Sequence, residues 1–247
     1  MLRQVGIIGV ALAAQLSWGR DIMLCGVEWA PFTYTDKQKI VSGGTFAMLT
    51  EAFRRLGLRF QANELPWPRC LEYVKSGRYD AVIDNAPSPH FISGQHPTGN
   101  YPLGVYVLDT FPQTTFSWSA MQGKTIGMVR GYDYTAKITS FKGWHPNYAT
   151  TDEDMLRKLA RHRYDYVVLD PYTAPILAER LQIKIRVLTP LLDSTKLYLT
   201  FNKNKRELAA AYDRVVGEMI KDGTLEKIYK EQMPYGYQAI MQMSVSP

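Results

Sequence analysis

Two rhythms of apolar and polar residues alternate along the chain. Short apolar runs end abruptly in polar or glycine-rich turns: Met23-Leu24-Cys25, Ala81-Val82-Ile83, the TIGMV run at 125–129 and the YVVL run at 166–169. Between them, apolar residues recur every three or four positions, as in GGTFAMLTEAFRRLGL, where Phe46, Leu49, Phe53 and Leu56 share a helical face and Gly57 stops the helix. KRELAAAYDRVVGEMIKDGTLEKIYKEQM (205–233) reads as two helices broken near Asp222-Gly223. Strands alternating with helices imply α/β structure with mostly parallel sheets.

The pattern also repeats. CLEYVKSGRYDAVID (70–84) and MLRKLARHRYDYVVL (155–169) each carry Arg-Tyr-Asp followed by an apolar strand, 85 residues apart. Leu71 aligns with Leu156 and Val74 with Leu159, one helical face in each copy. MLCGVEWAPF (23–32) and KTIGMVRGYDY (124–134) form a second pair, each a strand running into an aromatic loop. The chain therefore reads as two similar α/β units. Ligands of such sheets sit beyond the carboxyl ends of the strands. The loops 28–34, 84–91, 130–134 and 170–173 are all such ends, and two facing lobes bring them to one cleft. The extended stretches 107–116 and 197–204 are read as two crossings, leaving lobe one near 109–112 and returning near 193–197. The expected organisation is a signal peptide over 1–19, lobe one over 20–110, lobe two over 111–194 and a return to lobe one over 195–247.

The N-terminus sets the compartment. MLR, the apolar VGIIGVALAAQLSW and the small residues Ser17 and Gly19 have the layout of a cleaved secretory signal, too short for a comfortable membrane span. A periplasmic mature protein is expected from near Arg20. Outside the cytosol the only two cysteines, Cys25 and Cys70, can pair as a disulfide; two buried free thiols are the alternative. The net charge of +6 comes from scattered Lys and Arg with no basic run, so no nucleic-acid partner is expected. The four histidines show no metal-ligand spacing, and neither metal nor cofactor is expected.

In order and spacing, EWAPFTYTD, SGGTFAMLTEAFRRLG, LPWPRCLEYVKSGRYDAVI, NYPLGVYVL, GKTIGMVRGYDY, RYDYVVLD and KDGTLEKIYKEQM resemble the family 3 periplasmic solute-binding proteins that serve ABC importers of polar amino acids. The resemblance spans nearly the whole chain after the signal. It implies a type II two-lobed fold, two mostly parallel sheets flanked by helices and joined by a two-strand hinge. It also implies a small-molecule solute between the lobes, an ABC permease as partner, and a monomer. Residue by residue, it places Trp29 and Phe32 as aromatic walls and Asp170 as the acceptor of an α-ammonium. The family's carboxylate-clamping arginine is missing: the segment that commonly reads Thr-Pro-Glu-Arg reads Ser88-Pro89-His90-Phe91 here.

Further candidate ligand-binding residues are Trp67, set between two prolines, Asn85 at the strand end, Ser88, and the Arg130-Gly131-Tyr132 loop. Arg130, or less favourably Arg69, is the candidate replacement clamp; otherwise the solute lacks an α-carboxylate. Asp170 is also placed to cap a helix. An enzyme on the same fold, resembling the cyclohexadienyl dehydratases, needs a general acid, for which Glu28 is the candidate. A sensory binder is the third reading. No lytic module is expected in a chain that runs on only to Pro247.

Overall fold

The computed structural model describes residues 20–132 and 134–243; the expected signal peptide lies outside these. In chain order the elements are β1 (Ile22–Gly26), β2 (Tyr34–Asp36), β3 (Lys39–Ser42), α1 (Gly44–Leu56), β4 (Phe60–Glu64), α2 (Trp67–Lys75), β5 (Ala81–Asn85) and β6 (Gly99–Leu108). There follow β7 (Thr125–Val129), α3 (Ala136–Ser140), β8 (His145–Ala149), α4 (Asp152–Ala160), β9 (Tyr166–Leu169), α5 (Thr173–Leu181), β10 (Ile185–Phe201), α6 (Arg206–Lys221), α7 (Thr224–Gln232) and α8 (Tyr237–Gln242). The expected break at Asp222-Gly223 separates α6 from α7, with Gly223 left-handed at φ 79°.

The repeat is a repeat of topology. In the first half β1 lies between β4 and β5, all parallel. In the second, β7 lies between β8 and β9, again all parallel. Strands β6 and β10 join the halves as one long antiparallel pair. β10 changes partner between Leu197, opposite Gly99 of β6, and Tyr198, opposite Asn85 of β5. The sequence reading puts this return near 193–197. The outgoing crossing differs from the expected 109–112. β6 already pairs with β9 at Gly104, so the passage lies over Gly99–Leu103, within one apolar strand. Residues 109–112 follow its end, where Phe111 N–H donates back to the Leu108 carbonyl. The shared β10 makes the two sheets one continuous ladder of ten strands.

Each half buries both sheet faces, as parallel strands require. In the second half Tyr166 and Val168 join one core while Val167 and Leu169 join the other, the alternation expected of a pleated strand. In the first half Leu24, Ala81 and Ile83 face a large core with α1, α6, α7 and α8, whereas Cys25 and Val82 face α2. The buried stripe of α1 is Met48, Leu49, Ala52 and Phe53; Phe46 and Leu56 sit at its margin, one step round from the expected face.

Candidate functional site

The loop after β1 is locked by its own hydrogen bonds. Thr33 Oγ1 accepts from Trp29 N–H at 3.0 Å and donates to the Val27 carbonyl at 3.0 Å. The loop then lands on the start of α1, where two of the helix's unpaired donors meet its carbonyls: Gly44 N–H to Pro31 and Thr45 N–H to Phe32. The approach needs glycine at 43, where φ is 108° and a Cβ would stand 2.4 Å from the Phe32 carbonyl oxygen. The result presents Trp29 to the cleft, its ring stacked on Phe32 at 3.9 Å and met edge-on by Tyr101 at 5.5 Å.

Trp67 is aimed from α2. Cys70, one turn further on, forms the expected disulfide with Cys25 of β1, so the helix start is tied covalently to the sheet. The indole packs beside Cys25, Cys70, Val74 and Val82, and its Nε1–H is sealed from water without a protein acceptor.

From the second half come Tyr132, Asp152 and Asp170. Asp170 ends β9 and caps the turn into α5: Oδ1 accepts from the N–H groups of Tyr172 at 2.9 Å and Thr173 at 2.8 Å. Its Oδ2 accepts from Trp29 Nε1–H at 3.4 Å, which joins the halves, as does Thr173 Oγ1–H donating to the Ala30 carbonyl. Asp152 opens α4 and its Oδ2 accepts from the Tyr132 hydroxyl at 2.7 Å. Burial pushes the Asp152 carboxyl up to about 6, against the Tyr132 bond. Asp170 is also raised by burial, opposed by the Thr173, Tyr172 and Trp29 donors.

Asp84 completes the ring of carboxylates. It sits at the end of β5 with φ 51°, a left-handed conformation that Asp tolerates better than most residues. Its Oδ1 accepts from Thr98 Oγ1–H at 2.6 Å and Thr45 Oγ1–H at 3.2 Å, but Oδ2 has no partner. Burial raises this carboxyl to about 6, outweighing the two hydroxyls.

One cavity gathers these groups. Its walls are Trp29, Trp67, Tyr101 and Tyr132, its polar floor Asp84, Asp152, Asp170 and Thr33, and Glu28 stands at its rim. Of the expected site residues, Trp29, Trp67, Tyr132 and Asp170 line it. The others are placed differently. Phe32 is fully buried in the first core and supports Trp29 from behind. Asn85 turns into the sheet, donating to Thr200 Oγ1 at 2.8 Å, because alternation sends it away from Asp84's side. Ser88 closes a turn onto His90 N–H. Arg130 is exposed and lies over the Tyr148 ring at 5.3 Å, and it is not among the residues that line the cavity. Gly131 stays off the wall: a Cβ there would face Pro68 at 3.6 Å. Arg69 is exposed on α2. Phe91 packs at the edge of the disulfide cluster. Glu28, the candidate acid, is exposed and held by Thr35, whose hydroxyl donates to it at 2.7 Å.

Tyr101 and Asp152 line the cavity without being marked by the sequence. Asp152 stands in a TDED run that reads as ordinary first-turn acids, and Thr151 does cap that helix through Asp154 N–H. Tyr101 lies in the strand crossing, where nothing in its local pattern marks a cleft.

Residues 23–90 match the family of bacterial extracellular solute-binding proteins, family 3. The L-cystine-binding protein TcyA of Bacillus subtilis is 25% identical over 223 residues, 86% of this chain and 81% of that protein. The arginine-, lysine-, histidine-binding protein ArtJ of Geobacillus stearothermophilus superposes with a TM-score of 0.75 at 22% identity, covering 90% of this chain and all (100%) of that one. A putative L-cystine ABC transporter protein of Listeria monocytogenes gives 0.74 at 20% identity, over 88% and 98%. In its matched segment and in its fold, the chain therefore resembles the family 3 bacterial extracellular solute-binding proteins, as its sequence motifs imply.

Proposed function

We propose that the mature protein is an exported binder that captures one small solute between its two halves and hands it to an ABC importer. The observation that carries this reading is a cavity built from both halves, lined by Trp29, Trp67 and Asp84 of the first and Tyr132, Asp152 and Asp170 of the second. Polar bonds join the halves, Trp29 to Asp170, Thr173 to Ala30 and Tyr172 to Met243, and the Tyr172 ring packs against Phe32 and Tyr235 of the first half. Closure over a solute would make and break this set together, as hinge motion between two lobes does. The bending points are the β6 and β10 passages. The names of the relatives, which refer to cystine and to arginine, lysine and histidine, fit a solute of amino-acid size. No helix among the described residues is long and apolar enough to cross a membrane, consistent with a protein that meets its permease at the surface.

On this reading the solute leaves chemically unchanged. Glu28, turned to Thr35 at the exposed rim, is poorly placed for acid catalysis inside the cavity. A thermal-shift screen of amino acids, amines, organic acids and small peptides tests the proposal. A true solute at 100 times its dissociation constant adds about 2.7 kcal/mol of stability. Small-angle scattering with that solute should show compaction, and NMR should recover it intact. Failure of every solute class to stabilise the protein would sink the reading.

A further inference from the structure

The cavity has a one-sided charge. Asp84, Asp152 and Asp170 line it with Glu28 at the rim, while none of its described lining residues is Lys, Arg or His. Asp84, Asp152 and Asp170 have no ion-pair partner among the described residues. The contrast with Asp80, four residues before Asp84, is direct: that buried carboxylate is bound by both Arg20 and Lys205. The chain thus supplies counter-cations where a buried carboxylate is structural and withholds them in the cleft.

Two further observations point to a missing guest. Asp84 has only two threonine hydroxyls on Oδ1 and no partner on Oδ2, so the first half leaves a buried negative charge uncompensated beside the cavity. A buried carboxylate without a counter-ion is costly, and a cation nearby offsets that cost. The cavity walls are also the π-faces and edges of four aromatic residues, Trp29 and Tyr101 meeting at 84°. Rings around carboxylates make a cage suited to an organic cation. A bare metal ion fits poorly, since no group of three or more His, Cys, Asp or Glu among the described residues is arranged to hold one.

Resting on the solute-binding reading, we propose that the cleft takes a small organic cation, an alkylammonium or guanidinium, that carries no free carboxylate. A zwitterionic amino acid would bring its carboxylate among three others with no cation to meet it. Burying an unpaired charge in that setting is strongly disfavoured, whatever the side chain gains. An amine or guanidinium instead donates to the Asp152 or Asp170 carboxylate, while Asp84 adds its charge from the first half.

Calorimetry on the purified mature protein at pH 7.5 tests this with matched probes: agmatine and argininamide against arginine, and cadaverine against lysine. The carboxylate-free member of each set should bind at least about 100-fold more tightly, a difference of about 2.7 kcal/mol. Asp84→Asn and, separately, Asp152→Asn should each weaken the amines by about 10-fold or more, while Arg130→Ala leaves them unchanged. Equal or tighter binding of arginine or lysine would overturn the proposal, the more so if Arg130→Ala removed it. Neutral or anionic solutes run in parallel separate the two readings. A hit only among those overturns the cation proposal and keeps the solute-binding function; no hit in any class overturns both.

Discussion

Asp84 and Asp170 finish the same sequence pattern, Arg-Tyr-Asp followed by a buried strand, and reach the same cavity from opposite halves. Their surroundings differ. After Asp170 the chain turns into α5, and two backbone N–H groups close on Oδ1. After Asp84 comes Asn-Ala-Pro, no helix follows, and Asp84 keeps only two threonine hydroxyls on one oxygen. The duplicated aspartate inside the motif diverges too. Asp80 is fully buried; burial pushes its carboxyl up, but Met23 N–H, Lys205 and Arg20 more than offset this and hold it low. Its counterpart Asp165 is exposed. A repeat therefore preserves where strands end, but the next few residues decide what the strand-end carboxylate does. One serves as a fixed anchor, the other as a buried carboxylate with one oxygen unpartnered.

The largest asymmetry between the halves is covalent. The first half ties its aromatic wall to the sheet through Cys25–Cys70; the second relies on packing alone. The loop spans 45 residues. Replacing both cysteines by serine should lower unfolding stability by about 4 kcal/mol in the chain-entropy view. Urea denaturation monitored by tryptophan fluorescence measures it. A loss below about 1 kcal/mol would mean that α2, and with it Trp67, is held by packing as the second half is.

Asp170→Ala addresses the anchor. It strips the partners from the Tyr172 and Thr173 N–H groups and from Trp29 Nε1–H, partly offset by removing a buried carboxyl. A loss of about 1–2 kcal/mol is expected in the absence of solute. An unchanged midpoint would show that the cap is dispensable and that Asp170 resembles Asp84 more than its bonds imply.

Much of this geometry was legible in the chain itself. The apolar runs, the Gly57 and Gly223 stops and the duplicated Arg-Tyr-Asp placed both three-stranded units, because buried parallel strands leave strong local patterns. Trp29, Tyr132 and Asp170 line the cavity at the strand-end loops, where such sheets bind, and Trp67 joins them from the start of α2. Phe32, Asn85, Ser88, Arg130 and Gly131 are not among the residues that line the cavity, for a common reason. A loop's sequence marks that it lies near the cleft but not which way each side chain turns, and that is decided by partners distant in sequence, such as Thr200 for Asn85. Asp152 and Tyr101 were missed because their roles arise only when the halves meet.

Asp84→Asn tests the unpartnered carboxylate. The folded carboxyl stands near 6, above the unfolded value of about 3.9. A raised acid destabilises the folded state wherever it must ionise, so the penalty is complete above about pH 6 and gone below about pH 4. Asparagine keeps the shape and tolerates the left-handed backbone. The variant should gain about 1 kcal/mol at pH 7.5, after allowance for weaker threonine bonds, and nothing at pH 4. A loss at pH 7.5 would mean that Asp84 is a structural residue like Asp80. A gain alongside weaker solute binding marks a carboxylate kept at a cost to stability.

The smallest expected effect is the most diagnostic of the second half. Asp152 shares with Asp84 a carboxyl raised to about 6, yet it has a donor that Asp84 lacks, the Tyr132 hydroxyl on Oδ2 at 2.7 Å. That bond favours the ionised form and works against burial. Tyr132→Phe removes it without changing the ring that walls the cavity. The Asp152 carboxyl should then move above 6, toward an uncompensated buried acid. The stability cost should be under about 1 kcal/mol. It should be greater at pH 8 than at pH 5, because below its pKa the carboxyl is neutral and needs the donor less. Carbon-detected NMR titration of the aspartate carboxyls reads the shift directly. An upward shift confined to Asp152, with Asp84 unmoved, shows that each half tunes its own carboxylate. Movement of both together would reveal one coupled acidic site, and the contrast between the halves would then be a matter of bonding alone.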